Sequence, residues 1–293
     1  MGVEPKSPVL PKPFKGATRE GLSAADKKAN LAAELKKMES VLVAFSGGVD
    51  SAFLLAVAHV VLGKQVLAVT AASPVHPLRE RAEALAFAGE REIPHLIISS
   101  HEMDLSEFTS NSPDRCYHCK KALCKNLNEI AREKGIHHVV HGANMDDLND
   151  FRPGFQAAVE AGVEAPLMDQ NLTKMEIRQL SKAMGLPQWD KPSMACLATR
   201  LPYGSAITEK KLEMIETAED FLRDKGFRTL RVRHHGAVAR MELGGPEHEL
   251  IKKDMVRRDV VRKFRHIGFE HIALDLEVFA SGKMNRSINP QEK

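Results

Sequence analysis

A short β-branched run, Val41-Leu42-Val43-Ala44-Phe45, stops at two glycines, and a longer apolar run from Ala52 to Ala58 follows at once. A short apolar run, a glycine break and a long apolar run read as strand, tight loop and buried helix. Upstream, Ala24–Met38 has the Ala, Leu, Lys and Glu composition of a helix leading into that strand. Downstream, 65–72 predicts a second strand, and 76–92 a helix with Leu78, Ala82, Leu85 and Ala86 at helical spacing. A third strand is expected at Leu96-Ile97-Ile98, a helix over 116–134 closed by Gly135, and a fourth strand over 138–142. Strands separated by helices of this length predict parallel β-α-β units, hence an α/β fold with a doubly wound, Rossmann-like parallel sheet. Ligands in such sheets sit beyond the carboxyl ends of the strands, which gathers Ser46–Ser51, Ser73, His101, Gly142–Asp150 and the 163–170 segment into one region.

From Arg200 onward the pattern changes. Thr208–Lys225 is a strong helix with Thr208 as N-cap; 230–234 and 238–243 alternate like two antiparallel strands around His235-Gly236. A helix over 246–264 and a strand over 272–278 complete an α-β-β-α-β unit, a smaller C-terminal α+β domain. The reading is a tail over 1–22, a nucleotide-binding domain over 23–203, and a substrate or oligomerisation domain over 204–293. The tail carries four prolines and few large apolar side chains, and is expected to be disordered.

With 293 residues, 43% hydrophobic and 28% charged, the chain can bury a real core. Its net charge of +3 argues against a dedicated nucleic-acid surface. No apolar run approaches membrane-spanning length, and the N-terminus lacks a signal-peptide core, so a cytoplasmic protein without membrane contact is expected. Four cysteines in such a chain point to metal or catalytic chemistry rather than a disulfide framework.

The candidate chemistry falls into four stretches. Ser46-Gly47-Gly48-Val49-Asp50-Ser51 places hydroxyls and backbone amides at a helix start, a favourable seat for phosphate. It lacks the Walker pattern and has no G-x-G-x-x-G; it resembles the pyrophosphate loop of the ATP-pyrophosphatases, which split ATP into AMP and pyrophosphate. The polar loop 141–154, with Gly142, Asp147 and Arg152 as candidate ligand residues, brings carboxylates to a strand end, where they and Asp50 suit Mg²⁺ on a pyrophosphate. Thr173 and Glu176 form a capping box, placing Lys174 where it can reach a phosphate. Cys196 lies in a loop between Pro192 and Pro202, flanked by Lys191 and Arg200, whose charges favour a thiolate nucleophile. Finally, Cys116 and Cys119 form a C-x2-C pair at a helix start, half of a zinc site or of a cluster site; with Cys196 they make three thiolates with the fourth metal position open. Cys124 reads as a small buried residue, and the paired histidines at 137–138 and 234–235 as packing or surface groups.

Taken in order, these stretches together with 231–244 and 275–285 resemble, over roughly 25–286, the ATP-dependent sulfur transferases that make the nickel-pincer nucleotide of lactate racemase. The resemblance implies a small nucleotide substrate, a pyridinium biscarboxylic acid mononucleotide whose carboxylates are adenylated and turned into thiocarboxylates. It implies Cys196 as sulfur donor, Arg231, Arg233 and Glu242 as phosphate-binding or catalytic residues, and Glu219 as a metal-binding carboxylate. It also implies ATP and Mg²⁺ as cofactors, partners in the nickel-pincer pathway, and a homo-oligomer, often a hexamer. The three-cysteine pattern resembles the cluster-dependent branch rather than members that sacrifice the cysteine sulfur, and implies a 4Fe–4S cluster with one open iron on Cys116, Cys119 and Cys196. The rival readings are a tRNA thiolation enzyme, which shares the loop and cysteine pattern, and an amide-forming, AMP-producing synthetase.

Overall fold

The computed structural model describes residues 21–149, 153–192, 195–280, 282–283 and 286. The tail expected over 1–22 lies outside them apart from its last two residues. The chain divides into two compact units. The first takes residues up to Thr70, Ala84–Leu96 and Leu123–Lys191; the second takes Ala71–Glu83, Ile97–Ala122 and Pro192 onward.

The order through Ala183 is α1 (Ala24–Lys37), β1 (Val41–Ala44), α2 (Val49–Leu62), β2 (Val66–Ala72), α3 (Leu78–Glu90), β3 (His95–Ser99), α4 (Ser106–Thr109), α5 (Arg115–Glu133), β4 (His138–His141), α6 (Pro153–Glu160), α7 (Pro166–Asp169) and α8 (Lys174–Ala183). The four strands form one sheet in the order β3-β2-β1-β4, with the chain doubling back from the centre to each edge. β1 is parallel to both neighbours, Val41 facing Val66 on one side and His138 on the other. The first-unit core takes in Val41 and Val43 of β1 and nearly every residue from Val49 to Ala58 of α2. A helix buried on all faces needs no polar stripe, which is why its sequence reads as one unbroken apolar run. At the helix ends, Ser23 and Asp26 make a capping box on α1, and Thr173 and Glu176 make the expected one on α8.

The second unit continues with α9 (Glu209–Asp224), β5 (Leu230–His235), β6 (Val238–Leu243), α10 (Gly245–Lys252), α11 (Asp254–Ile267) and β7 (His271–Leu274). β5 and β6 are the expected antiparallel hairpin, and β7 adds to β6 in parallel. Leu222, Val232, Met241, Phe264 and Phe269 are among the residues of its core. Two expectations need correction. The single helix over 246–264 is two helices, because Lys253 leaves helical geometry (φ −61°, ψ 121°) and Asp254 starts a new turn, accepting Arg257 at 2.6 Å and pairing with Arg258 at 2.9 Å. The last strand ends at Leu274 rather than 278, because the Asp275 carboxylate turns back to accept the Glu277 N–H at 2.9 Å and pairs with Arg240 and Lys283, each at 3.5 Å.

Candidate active site

In the first unit, the Ser46–Ser51 loop is folded by its own hydroxyls. Ser51 Oγ accepts from the Ser46 N–H at 3.3 Å and donates to the Gly48 carbonyl at 3.1 Å; Ser46 Oγ accepts from the Gly48 N–H at 3.4 Å. Gly47 sits at φ 72°, a conformation side chains rarely adopt. Gly142, at the end of β4, passes so close to the start of α2 that a Cβ there would lie 2.8 Å from the Ser51 nitrogen. The loop is thus a backbone cradle at a helix N-terminus, with amides and hydroxyls in place for an anion.

Charges stand around the cradle. Lys174 Nζ donates to Asp50 Oδ2, and Lys191 Nζ donates to the Gly47 carbonyl at 3.2 Å. Arg178 holds the carbonyls of Trp189 and Lys191 at 2.8 and 2.6 Å, fixing the segment that brings Lys191 in. Burial pushes the Asp50 carboxyl above its ordinary value; Lys174 pulls it down and nearby Asp147 pushes it up. Asp50 Oδ1 is buried without a hydrogen-bond partner, a vacant oxygen of the kind a hard cation would fill. Asp146 and Asp147 have structural duties, accepting the Lys174 N–H at 2.5 Å and the Asn144 N–H at 3.0 Å. Arg152 lies outside the described residues.

In the second unit, Cys196 leads into a 3-10 turn, Leu197–Arg200. The turn is pinned by the Leu197 N–H on the Val75 carbonyl at 2.9 Å. Cys196 and Cys119 are half-buried against an apolar cluster that includes Val75, Phe108 and Leu197. Arg200 is fully buried. Its Nε and Nη2 donate to the two oxygens of Glu219 at 2.9 and 3.0 Å, and its Nη1 to the carbonyls of Ala195 and Cys196 at 2.6 and 3.1 Å. Glu219 also accepts Arg223 Nη2 at 2.9 Å and the Val232 N–H at 3.0 Å. Burial alone would raise its carboxyl, yet Arg200, with help from Arg231 and Arg223, holds it at about 2.

On the hairpin, Arg231 faces Glu242 and Arg233 faces Arg240 across the strands. Glu242, buried, accepts Arg233 Nη2 at 2.6 Å and Arg240 Nη2 at 3.0 Å. Arg233 Nη1 reaches the Thr199 carbonyl at 2.7 Å, while its Nε is buried without a hydrogen-bond partner. Arg231 lies over the Phe279 ring, 5.0 Å from its centroid. Burial, and then the charge of Arg200, weaken its hold on its proton. Five arginines thus crowd around two buried glutamates, with Asp220 and Asp275 at the margin. That excess of buried positive charge suits a phosphate or carboxylate ligand.

The structure lends the expected cysteine metal site no support. Among the described residues no group of three or more His, Cys, Asp or Glu side chains is arranged to hold a metal ion, so Cys116, Cys119 and Cys196 do not form a preassembled cluster site. They are near enough to act on one another: burial first, then Cys196, Glu102 and Cys116, push the Cys119 thiol far up. Glu219 offers no open oxygen to a metal, since four donors occupy it. Arg200 likewise turns away from solvent and spends its donors inside the protein. Cys124 is buried, as expected.

The PP-loop domain family matches residues 22–149. An uncharacterized protein of Synechocystis sp. is 40% identical over 259 residues, covering 88% of this chain and 97% of the relative. The pyridinium-3,5-bisthiocarboxylic acid mononucleotide synthase of Lactiplantibacillus plantarum is 36% identical over 265 residues, covering 90% of this chain and 95% of the synthase. The chain belongs to that synthase family. A more distant relative, an uncharacterized protein of Methanocaldococcus jannaschii, is 27% identical over 254 residues, or 84% of this chain and 92% of its own length. The family's PP-loop domain binds ATP, which fits the Ser46–Ser51 cradle.

For this member of the synthase family, the structure adds residues that sequence reasoning passed over. Arg223 and Arg240 complete the arginine cluster, and both were findable. Arg223 follows Glu219 by one helical turn, and Arg240 shares a β6 face with Glu242. Glu102 was not findable: this buried carboxylate accepts from Ser73 Oγ and Ser100 Oγ, and His76 Nδ1 lies 3.3 Å from Ser73 Oγ. Nothing in the sequence links positions 73, 76, 100 and 102.

Proposed function

We propose that the protein is an ATP-dependent sulfur transferase that adenylates the carboxylates of pyridinium-3,5-biscarboxylic acid mononucleotide and converts them to thiocarboxylates, releasing AMP and pyrophosphate. The observation that carries this reading is the similarity to the L. plantarum synthase over 90% of the chain, joined to a half-buried cysteine whose loop is held within an arginine cluster. In this reading the Ser46–Ser51 amides hold the leaving pyrophosphate, Lys174 and Lys191 offset its charge, and Asp50 would hold Mg²⁺, which would supply further neutralisation of phosphate charge. Gly142 lets the strand end approach the cradle, and Asp147 shapes the adjoining turn. Arg231 and Arg233 bind the substrate phosphate, with Glu242 aligning Arg233.

A substrate carboxylate oxygen attacks the α-phosphorus of ATP, and pyrophosphate leaves with the electron pair of the broken P–O bond. The Cys196 thiolate then attacks the acyl carbon and expels AMP, leaving a thioester. Loss of the Cys196 Cα proton, with cleavage of its Cβ–S bond, frees the thiocarboxylate and leaves dehydroalanine. We further propose that residues 204–293 form the substrate and oligomerisation domain, that the chain forms a homo-oligomer, a hexamer by resemblance, and that it works in the cytoplasm with other proteins of the nickel-pincer pathway. Among the described residues no helix is long and apolar enough to cross a membrane. The tRNA-thiolating and amide-forming alternatives gain no support from the relatives.

The test is product analysis by mass spectrometry after mixing anaerobically prepared protein with ATP, Mg²⁺ and the dicarboxylate nucleotide. Thiocarboxylate, AMP and pyrophosphate are expected, with Cys196 losing the mass of hydrogen sulfide. Brown protein that turns over repeatedly with added sulfide would instead establish the cluster route, and ADP as product would overturn the reading.

A further inference from the structure

We propose that Glu219 and Arg200 are positioning residues: a buried clamp that sets the backbone of the Cys196 loop, rather than a metal ligand and a substrate-facing cation. The loop backbone is the ligand of this clamp. Arg200 Nη1 draws in the carbonyls of Ala195 and Cys196, on either side of the Cys196 Cα, and also donates to Thr199 Oγ1 at 3.0 Å. Thr199 Oγ1 in turn donates to the Cys196 carbonyl at 2.8 Å. The other edge of the guanidinium is held by both oxygens of Glu219, in the parallel two-bond geometry that fixes a guanidinium plane. Glu219 is itself immobilised by the Val232 N–H of β5 and by Arg223 one helical turn along α9.

Helix, strand and cysteine loop therefore meet on one carboxylate. Both side chains of the pair have 0% exposure, so neither has a face left for a ligand. Arg233 secures the far end of the same turn through the Thr199 carbonyl. With its backbone tied down, Cys196 can vary chiefly by rotating its own side chain. That is how a nucleophile is kept at one place instead of sampling a loop's worth of positions. That Cys196 donates the sulfur rests on the proposed function; the clamp does not.

Peptide-resolved mass spectrometry of iodoacetamide alkylation tests this on the full chain, comparing the unaltered protein with Arg200→Lys and with the double variant Arg200→Met/Glu219→Leu. The double variant removes both charges of the pair together and leaves Arg223 its second partner, Asp220, at 3.0 Å. Its Cys196 should react at least about fivefold faster as the loop opens locally. Cys116, Cys119 and Cys124 should stay within about twofold, because a released loop leaves their helix intact. Arg200→Lys, which keeps a donor for the carbonyls, should restore most of the protection. An unchanged or slower Cys196, a parallel rise at all four cysteines, or a double variant that fails to fold would each overturn the clamp. A wrong substrate assignment would show separately, as no thiocarboxylate from the unaltered protein, and would leave the alkylation result standing.

Discussion

The loop in the first unit and the arginine cluster in the second are both built for anions, by opposite means. The Ser46–Ser51 cradle is made of backbone amides and hydroxyls from six consecutive residues, and its flanking charges nearly cancel, Lys174 against Asp50. The cluster is made of side chains from a loop, a helix and a hairpin, with five arginines around two buried glutamates. A cradle of amides and hydroxyls costs little to keep empty, because its donors carry no net charge to repel one another. A surplus of buried guanidinium charge is held only by compensating carboxylates, so removing one exposes the rest to their mutual repulsion. The two regions should therefore respond differently to damage.

The largest expected effect separates their chemistry. Cys196→Ala should abolish thiocarboxylate formation, while the adenylate still forms and pyrophosphate is still released, since the thiol is needed only after activation. Pyrophosphate and thiocarboxylate assayed on the same sample decide this; loss of both together would merge the two regions into one step. Next is Asp50→Asn, which should lower pyrophosphate release by about 100-fold or more by removing the charge offered to Mg²⁺. Normal release would take Asp50 out of the site.

Third is acid. The Glu219 carboxyl is held at about 2 against an ordinary 4.5, so its contribution to stability is full above about pH 4.5 and is lost as pH falls through about 2. That shift corresponds to about 3 kcal/mol. Denaturant unfolding at stepped pH should show this loss, and Arg200→Met/Glu219→Leu should lack that limb. An identical acid profile in the variant would mean that other carboxylates carry the effect.

The smallest concerns the cradle. Gly142→Ala would place a methyl 2.8 Å from the Ser51 nitrogen, and should lower stability by about 1–3 kcal/mol by overpacking. A melting temperature within error of the unaltered protein would show that β4 and α2 can part freely.

The same contrast explains what the sequence made legible. The sheet, the cradle and the capping box on α8 are written in consecutive residues or in simple periods, so local reasoning reached them. Lys174 stands at a helix start that the sequence announced, because a capping box fixes where that helix begins. The arginine cluster was reachable only residue by residue through resemblance, since Arg200, Glu219, Arg231 and Glu242 share no period. Their roles hinge on which oxygen each nitrogen meets. The cluster expectation gains no support for a related reason: C-x2-C spacing states which thiols are close along a helix, and says nothing of how they stand to Cys196. The 246–264 helix broke at Lys253 without any glycine or proline to announce it.

Trp189 is the sole tryptophan of the chain. Its carbonyl is held by Arg178, which also holds the carbonyl of Lys191, whose ammonium rests on the Gly47 carbonyl. The residue is 37% exposed, and the Lys182 ammonium lies 4.5 Å from the centroid of its indole ring, a nearby charge able to alter its emission. The molecule thus carries one built-in optical probe, wired through two residues to the phosphate cradle. Filling the cradle would draw Lys191 off Gly47 and shift the segment on which the indole rides. Nucleotide occupancy could then be followed in unlabelled protein by its intrinsic fluorescence, with no second emitter of that kind to blur the signal.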